Sequence, residues 1–178
     1  EALMAAVSLP VCGEHFTRDV AQRLCISNEH AESLKRQCGC ALVGLTADNS
    51  LIELPPLEGR PPREAPRLEL NHALESRAGE LFLYVREEIA KAGMDQGLLN
   101  QVVLTGGASR LQGMCDMAER VLNCPARNGL PVGIEAWPEE FEDPAWTTAA
   151  GLMMYSARLK RGEGGPTRKP GLWNRLFG

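Results

Sequence analysis

Residues 101–114 read QVVLTGGASRLQGM, and their interpretation decides the fold. Val102, Val103 and Leu104 are a short β-branched and aliphatic run, the composition of a buried strand. Gly106 and Gly107 then form a tight turn, and apolar residues from Met114 onward repeat at helical spacing. In open α/β sheets ligands sit beyond the carboxyl ends of the strands, which is where this turn lies. Two adjacent glycines remove two Cβ atoms, so a flat ligand can lie against bare backbone. A dinucleotide GxGxxG would need a glycine two residues after the first, and none is there; a phosphate loop would need a following Gly-Lys-Ser/Thr. Taken alone, the pattern fits a tight strand–helix connection without a ligand equally well.

Outward from this stretch, helices and strands mix, the signature of an α/β protein. Upstream, residues 1–12 are apolar and end at Pro10 and Gly13, reading as the tail of a buried element. TRDVAQRLCI from Thr17 has helical spacing, and a second helix is predicted from about Glu29 to Cys38, stopped by Gly39. CALVGL and SLIEL read as two strands joined by TADNS, and EGRPPREAP as a stiff extended connection. The clearest helix is predicted from about His72 to Ala92, with Leu74, Ala78, Leu81, Phe82, Val85 and Ile89 on one stripe and a Glu87–Lys91 pair. Downstream, a helix over Met114–Leu122, a loop over Asn123–Asp143 and a last helix after Asp143-Pro144 are expected.

The 178 residues carry a net charge of −4, which argues against a general nucleic-acid surface. The charge is uneven. From Arg158 onward Arg158, Lys160, Arg161, Arg168, Lys169 and Arg175 face one acid, Glu163, so an acidic body ends in a basic tail. Six cysteines lack zinc-finger spacing to any histidine and are expected to be reduced thiols, with no metal site. No apolar run approaches the ~18–20 residues of a spanning helix. A chain opening on Glu1 instead of Met reads as a piece of something longer.

A second stretch, AESLKRQCG (31–39), places Glu32 and Lys35 three residues apart on one helix face. Such a pair can hydrogen-bond ribose hydroxyls and flank a purine, or be a plain surface ion pair. No Ser-His-acid or Cys-His nucleophile constellation is apparent around His15, His30 or His72. Together, GEHFTRDVA, AESLKRQCGCAL, GRPPRE, ESRAGELFLYVREEI, VVLTGGASRLQGM and DPAWTTAAGLMMY resemble, in order and content, the C-terminal part of the FtsA family. FtsA proteins are actin-like ATP-binding proteins of bacterial cell division. The most specific portion is VVLTGGAS followed by Asp143, Pro144, Trp146, Ala149, Gly151 and Leu152.

The resemblance implies part of an actin-like ATPase of ribonuclease H-like α/β type. Residues 1–16 would end the large-subdomain sheet, 17–92 would be an inserted small α/β subdomain, and 93–160 would return to the large subdomain. A linker over 161–170 and an amphipathic membrane-targeting helix over 171–178 would follow. It further implies adenosine contacts from Glu32, Lys35, Gly106, Gly107, Ala108 and Ser109, with the phosphate loops and most Mg contacts outside this chain. ATP would thus be bound by the whole protein, and the chain alone is not expected to be an enzyme. The tail peptide of FtsZ would dock on the insertion, at Arg77 and with Arg60 and Arg63. The implied setting is the cytoplasmic side of the cell membrane at the division septum, with self-association into polymers. Other readings are a different actin-like scaffold, such as a pilus-assembly platform protein, or an α/β enzyme of phosphorylated metabolites.

The tail GLWNRLFG closes the sequence. If helical, Leu172, Trp173, Leu176 and Phe177 share an arc of about 140°, with Lys169 and Arg175 available to anionic lipid. A membrane-surface helix is preferred over folding back onto the domain, because the Gly/Pro linker offers no reason to dock.

Overall fold

The computed structural model describes residues 3–46, 50–56, 61–94, 97 and 99–161. Helices α1 (Gly13–Leu24) and α2 (Asn28–Cys38) come first, then strands β1 (Leu51–Leu54) and β2 (Arg63–Pro66) and the long helix α3 (Arg67–Lys91). Strand β3 (Val102–Leu104), helix α4 (Met114–Leu122), strand β4 (Ala126–Asn128) and helix α5 (Thr147–Lys160) complete the order. Strands β1 and β2 pair antiparallel, with Ile52 opposite Ala65. Strands β3 and β4 pair parallel, with Val103 opposite Arg127.

The core forms where α1, α3 and α4 meet. Leu70, Leu74, Ala78 and Phe82 lie four residues apart along α3 and are buried, a spacing that keeps them on one face. Phe16, Val20 and Leu24 of α1 and Met114, Met117, Ala118 and Leu122 of α4 join the same cluster. Ser27 caps α2 by accepting from the His30 N–H, the preferred chemistry at that position. At the other end of α2, Gly39 is required by close approach. A Cβ there would lie 2.4 Å from the Lys35 carbonyl oxygen and 2.7 Å from Leu74 Cδ1.

Beyond Gly39 the chain runs along the segment that precedes α4. Cys40 forms an isolated parallel bridge with Gln112, and the Ala41 N–H donates to the Gln112 carbonyl at 2.7 Å. The fully buried Asn71 of α3 holds the back of this seam. Its Oδ1 accepts from the Cys40 N–H at 2.9 Å, and its Nδ2 donates to Thr46 Oγ1 at 2.7 Å.

Several sequence expectations change. No described segment packs over residues 3–9, and Leu3 and Met4 are 85% and 80% exposed. CALVGL is not a strand. Cys40 and Ala41 turn to Gln112, and Val43–Leu45 is a 3-10 turn. SLIEL pairs instead with REAP, inside the supposed connector; Pro66 at its end needs no ladder N–H. Helix α3 starts at Arg67, directly after Pro66, five residues before His72. Lys91 pairs with Glu88 at 2.6 Å rather than with Glu87, both partners being reachable on one helix face. Strand β4, three residues inside the expected loop, escapes a periodicity argument because it is too short.

Candidate functional site

An open cleft of about 820 Å³ lies between the α1–α2 corner and the turn after β3, within the ~300–1,000 Å³ range of small-molecule sites. Glu32, Lys35 and Arg36 of α2 and Gly13 and Thr17 of α1 line one wall. Gly107, Ala108, Arg110, Leu111 and Gln112 line the other, with Ala145.

The first wall is held by a hydrogen-bonded cluster. Lys35 Nζ donates to Glu32 Oε2 at 2.5 Å, to Thr17 Oγ1 at 2.8 Å and to the Gly13 carbonyl at 3.1 Å. The Thr17 hydroxyl in turn donates to Glu32. Burial alone would raise the Glu32 pKa; hydrogen bonds from Lys35 and Thr17, with the charges of Lys35 and Arg36, outweigh it and lower the value below the usual glutamate range. Glu32 is therefore an ionised acceptor with an oxygen to spare, and Lys35 presents a cation at the cleft wall.

The opposite wall is the double-glycine turn. Gly106 has φ +85°, a conformation that favours glycine, and its N–H donates to the Pro144 carbonyl at 2.8 Å. Ser109 is buried, and its hydroxyl donates back to the Gly106 carbonyl at 2.8 Å. Gly106 and Ser109 thus shape the turn, while Gly107 and Ala108 face the cavity. A Cβ built on Gly107 would meet nothing within 4 Å, so that space is open to a ligand. Arg110 Nε stands 3.2 Å from Asp143 Oδ2, and Asp143 Oδ1 accepts from the Ala145 N–H at 2.8 Å.

The structure thus brings Glu32, Lys35, Gly107 and Ala108 to one cavity from segments some seventy residues apart. Sequence reasoning missed Gly13, Thr17, Arg36 and Arg110. Arg36 and Arg110 directly follow the singled-out Lys35 and Ser109 and could have been included on that ground. Thr17, an ordinary helix residue in the sequence, carried no signal.

Two of the three arginines assigned to partner binding, Arg77 and Arg63, make internal contacts. Arg77 turns its guanidinium to α1: Nε and Nη2 lie 2.5 and 2.9 Å from the two Asp19 oxygens, and Nη1 contacts Glu80. Hydrogen bonding to Asp19 raises its pKa against the effect of burial. Arg63 donates to the Leu24 and Cys25 carbonyls at the end of α1, the place where a cation offsets the helix dipole. Arg60 lies outside the described residues, as do Lys169, Leu172, Trp173, Arg175, Leu176 and Phe177. A shallow groove beside Arg77 is lined also by Asp19, Gln22, Arg23, His72 and Ser76.

All six cysteines are unpaired thiols. Among the described residues no His/Cys/Asp/Glu group is arranged to hold a metal ion, and no helix is long and apolar enough to cross a membrane.

The fold is similar to that of solved MreB5 structures. MreB5 of Spiroplasma citri bound to ADP superposes with a TM-score of 0.60 at 18% identity, over 88% of this chain and 48% of that one. The same protein bound to AMPPNP gives 0.58 at 15% identity, over 86% and 46%. The fold is therefore part of an actin-like α/β fold. The family model for "Cell division protein FtsA" matches residues 1–151, and the chain belongs to that family. Among its relatives, FtsA of Pseudomonas aeruginosa is 32% identical over 154 residues, covering 86% of this chain and 37% of that protein. FtsA of Escherichia coli K12 is 33% identical over 161 residues, with 86% and 38% covered, and FtsA of Borreliella burgdorferi 35% over 148 residues, with 83% and 36%. The chain thus spans little more than a third of the length of these relatives.

Proposed function

We propose that this chain supplies one wall-set of an adenine-nucleotide site in an ATP-binding, self-polymerising FtsA protein that tethers the FtsZ ring to the membrane. The observation that carries the nucleotide half is the cleft itself. A carboxylate–ammonium pair, Glu32 and Lys35, faces a turn with no side chain at Gly107 across about 820 Å³. A ribose with two hydroxyls matches an acceptor beside a donor, and a planar base matches bare backbone. The solved MreB5 neighbours carry ADP and AMPPNP, which supports the same ligand class here. Phosphate and Mg contacts fall to the rest of the protein, and so does any hydrolysis. Titration of the whole protein with an ATP analogue tests the assignment: the parent binds, and a variant with Gly107→Val binds roughly tenfold or more weakly. Equal binding by both would place the nucleotide elsewhere.

The partner half of the proposal rests on the groove between α1 and α3. Arg23 lines it beside Arg77, so an acidic, partly apolar peptide such as the FtsZ tail meets a cation there even with Arg77 paired to Asp19. The cytoplasmic membrane face at the septum is the setting this assigns. Anionic lipid is the surface for Leu172, Trp173, Leu176 and Phe177, with Lys169 and Arg175. One short helix buries too little to anchor alone, so many tails on one polymer supply the avidity. Deletion after Pro170 releases the polymer from anionic vesicles; co-sedimentation equal to the parent would refute the anchor.

A further inference from the structure

The Glu32–Lys35 pair has a counterpart of the same spacing on α3, Glu88 and Lys91, and the two are built differently. Lys91 Nζ contacts Glu88 Oε1 at 2.6 Å, its side chain is 67% exposed, and no hydrogen bond from another element joins the pair among the described residues. The Lys35 side chain is 13% exposed. Its three ammonium protons have three acceptors, Glu32 Oε2, Thr17 Oγ1 and the Gly13 carbonyl. Two of these belong to α1. Thr17 is itself buried, at 5% exposure. Its hydroxyl has one proton and two acceptors in reach, Glu32 Oε2 and the Gly13 carbonyl at 3.2 Å; the charged and nearer oxygen takes it. Thr17 is also the stiffest member of the cluster. A threonine in a helix has few rotamers, and the one seen sets Oγ1 beside the carbonyl four residues back. Glu32 is long and, left to itself, would sample many rotamers. Its Oε2 is held from α1 and from Lys35, and Oε1 has no hydrogen-bond partner among the described residues.

We propose that Thr17 is a positioning residue of the nucleotide site: with Lys35 it fixes Glu32 so that Oε1 stands ready to accept from one ribose hydroxyl, which makes the site selective for a ribonucleotide over a deoxyribonucleotide. This rests on the nucleotide reading given above. The selectivity follows from the chemistry of the two partners. An ionised carboxylate oxygen only accepts, and a sugar hydroxyl is a donor that the deoxy sugar lacks. A carboxylate already held in place loses no rotamer freedom when the hydroxyl arrives, so the bond counts in full toward discrimination. Without the Thr17 hydroxyl, Glu32 and Lys35 keep their helical spacing but become a pair like Glu88 and Lys91, with nothing from α1 to set the direction of the carboxylate.

Calorimetric titration of the whole protein with ATP, 2′-deoxy-ATP and 3′-deoxy-ATP tests this. The parent binds ATP about tenfold more tightly than one of the two deoxy forms, the discrimination of a hydrogen bond to a charged group. In Thr17→Val that ratio falls to about threefold, because the ligand must now order the carboxylate. Thr17→Ser, which restores the hydroxyl, keeps the parent ratio, and Thr17→Ala repeats the Thr17→Val result without adding a methyl to the core. In a Glu32→Gln background Thr17→Val leaves the ratio where Glu32→Gln alone puts it, since residues acting through one group are not additive. If Thr17→Val weakens all three nucleotides by one factor with the ratio intact, Thr17 is structural only and the proposal is overturned. Equal affinity of the parent for all three also overturns it, while leaving the nucleotide site standing. A parent that binds none of them refutes that site, and the proposal with it.

Discussion

Two ion-paired clusters, one on each side of α1, look alike in a sequence and differ in the structure. Lys35 and Glu32 stand at the wall of an open cleft facing a turn without side chains. Arg77 lies between Asp19 and Glu80, with its nitrogens turned to carboxylates. The first pair keeps a carboxylate oxygen and a cation beside a cavity; the second joins α1 to α3. What separates a binding pair from a structural one is therefore the opposite wall, which no spacing rule for a single helix contains.

Substitutions can break that contrast, and the largest effect belongs to the closed cluster. Arg77→Glu places a third carboxylate beside Asp19 and Glu80 and removes charge-assisted bonds of about 1.5–3 kcal/mol. A thermal midpoint lower by roughly 3–12 °C is expected for a domain of this size. A companion Asp19→Asn variant removes the pair but leaves the cation. If FtsZ-tail peptide binding survives Asp19→Asn and is lost in Arg77→Glu at a temperature where both are folded, Arg77 also touches the peptide.

At the open cleft the expected signs reverse. Gly107→Val leaves the thermal midpoint unchanged, since nothing lies within 4 Å of its Cβ, yet fills ligand space. A steric cost of ~1–3 kcal/mol lowers nucleotide affinity by roughly tenfold or more, read by calorimetric titration of the whole protein. Lys35→Ala costs about tenfold by losing one charged donor, and it loosens the α1–α2 corner slightly through Thr17 and Gly13.

The smallest effect is in pH. Glu32 has a lowered pKa, so its ionised form stabilises the folded corner fully above the ordinary glutamate value, and that stability is lost as pH falls through the folded-state value. Melting curves of the parent and Glu32→Gln are expected to differ at neutral pH and to converge below about pH 4. Parallel curves over the whole range would show that Glu32 contributes nothing to the corner.

Much of this was legible in the sequence, for identifiable reasons. Helix α4 is found with its observed ends because Met114, Met117, Ala118 and Leu122 repeat cleanly between Gly113 and Asn123. The cleft residues of α2 and the turn were found because their types are chemically unusual where they stand. The hairpin partner of SLIEL was not, because Pro61 and Pro62 read as a connector while only Pro66 enters the ladder. Thr17 and the orientation of Arg77 depend on how α1 packs against α2 and α3, which is a tertiary fact. The exposure of residues 3–9 and of α5 likewise depends on what else is there to cover them.

The backbone seam of Cys40 and Ala41 with Gln112 lies at the floor of the cleft, and its mechanical consequence is that of a book's spine. Both walls leave this line within a few residues: Lys35 and Arg36 just before it on one side, Gly107 to Leu111 just before it on the other. The seam sets the spacing of the two walls, and Asn71 clamps it from behind. A ligand touching both walls bridges them at the edge away from the seam, as a clasp joins two covers.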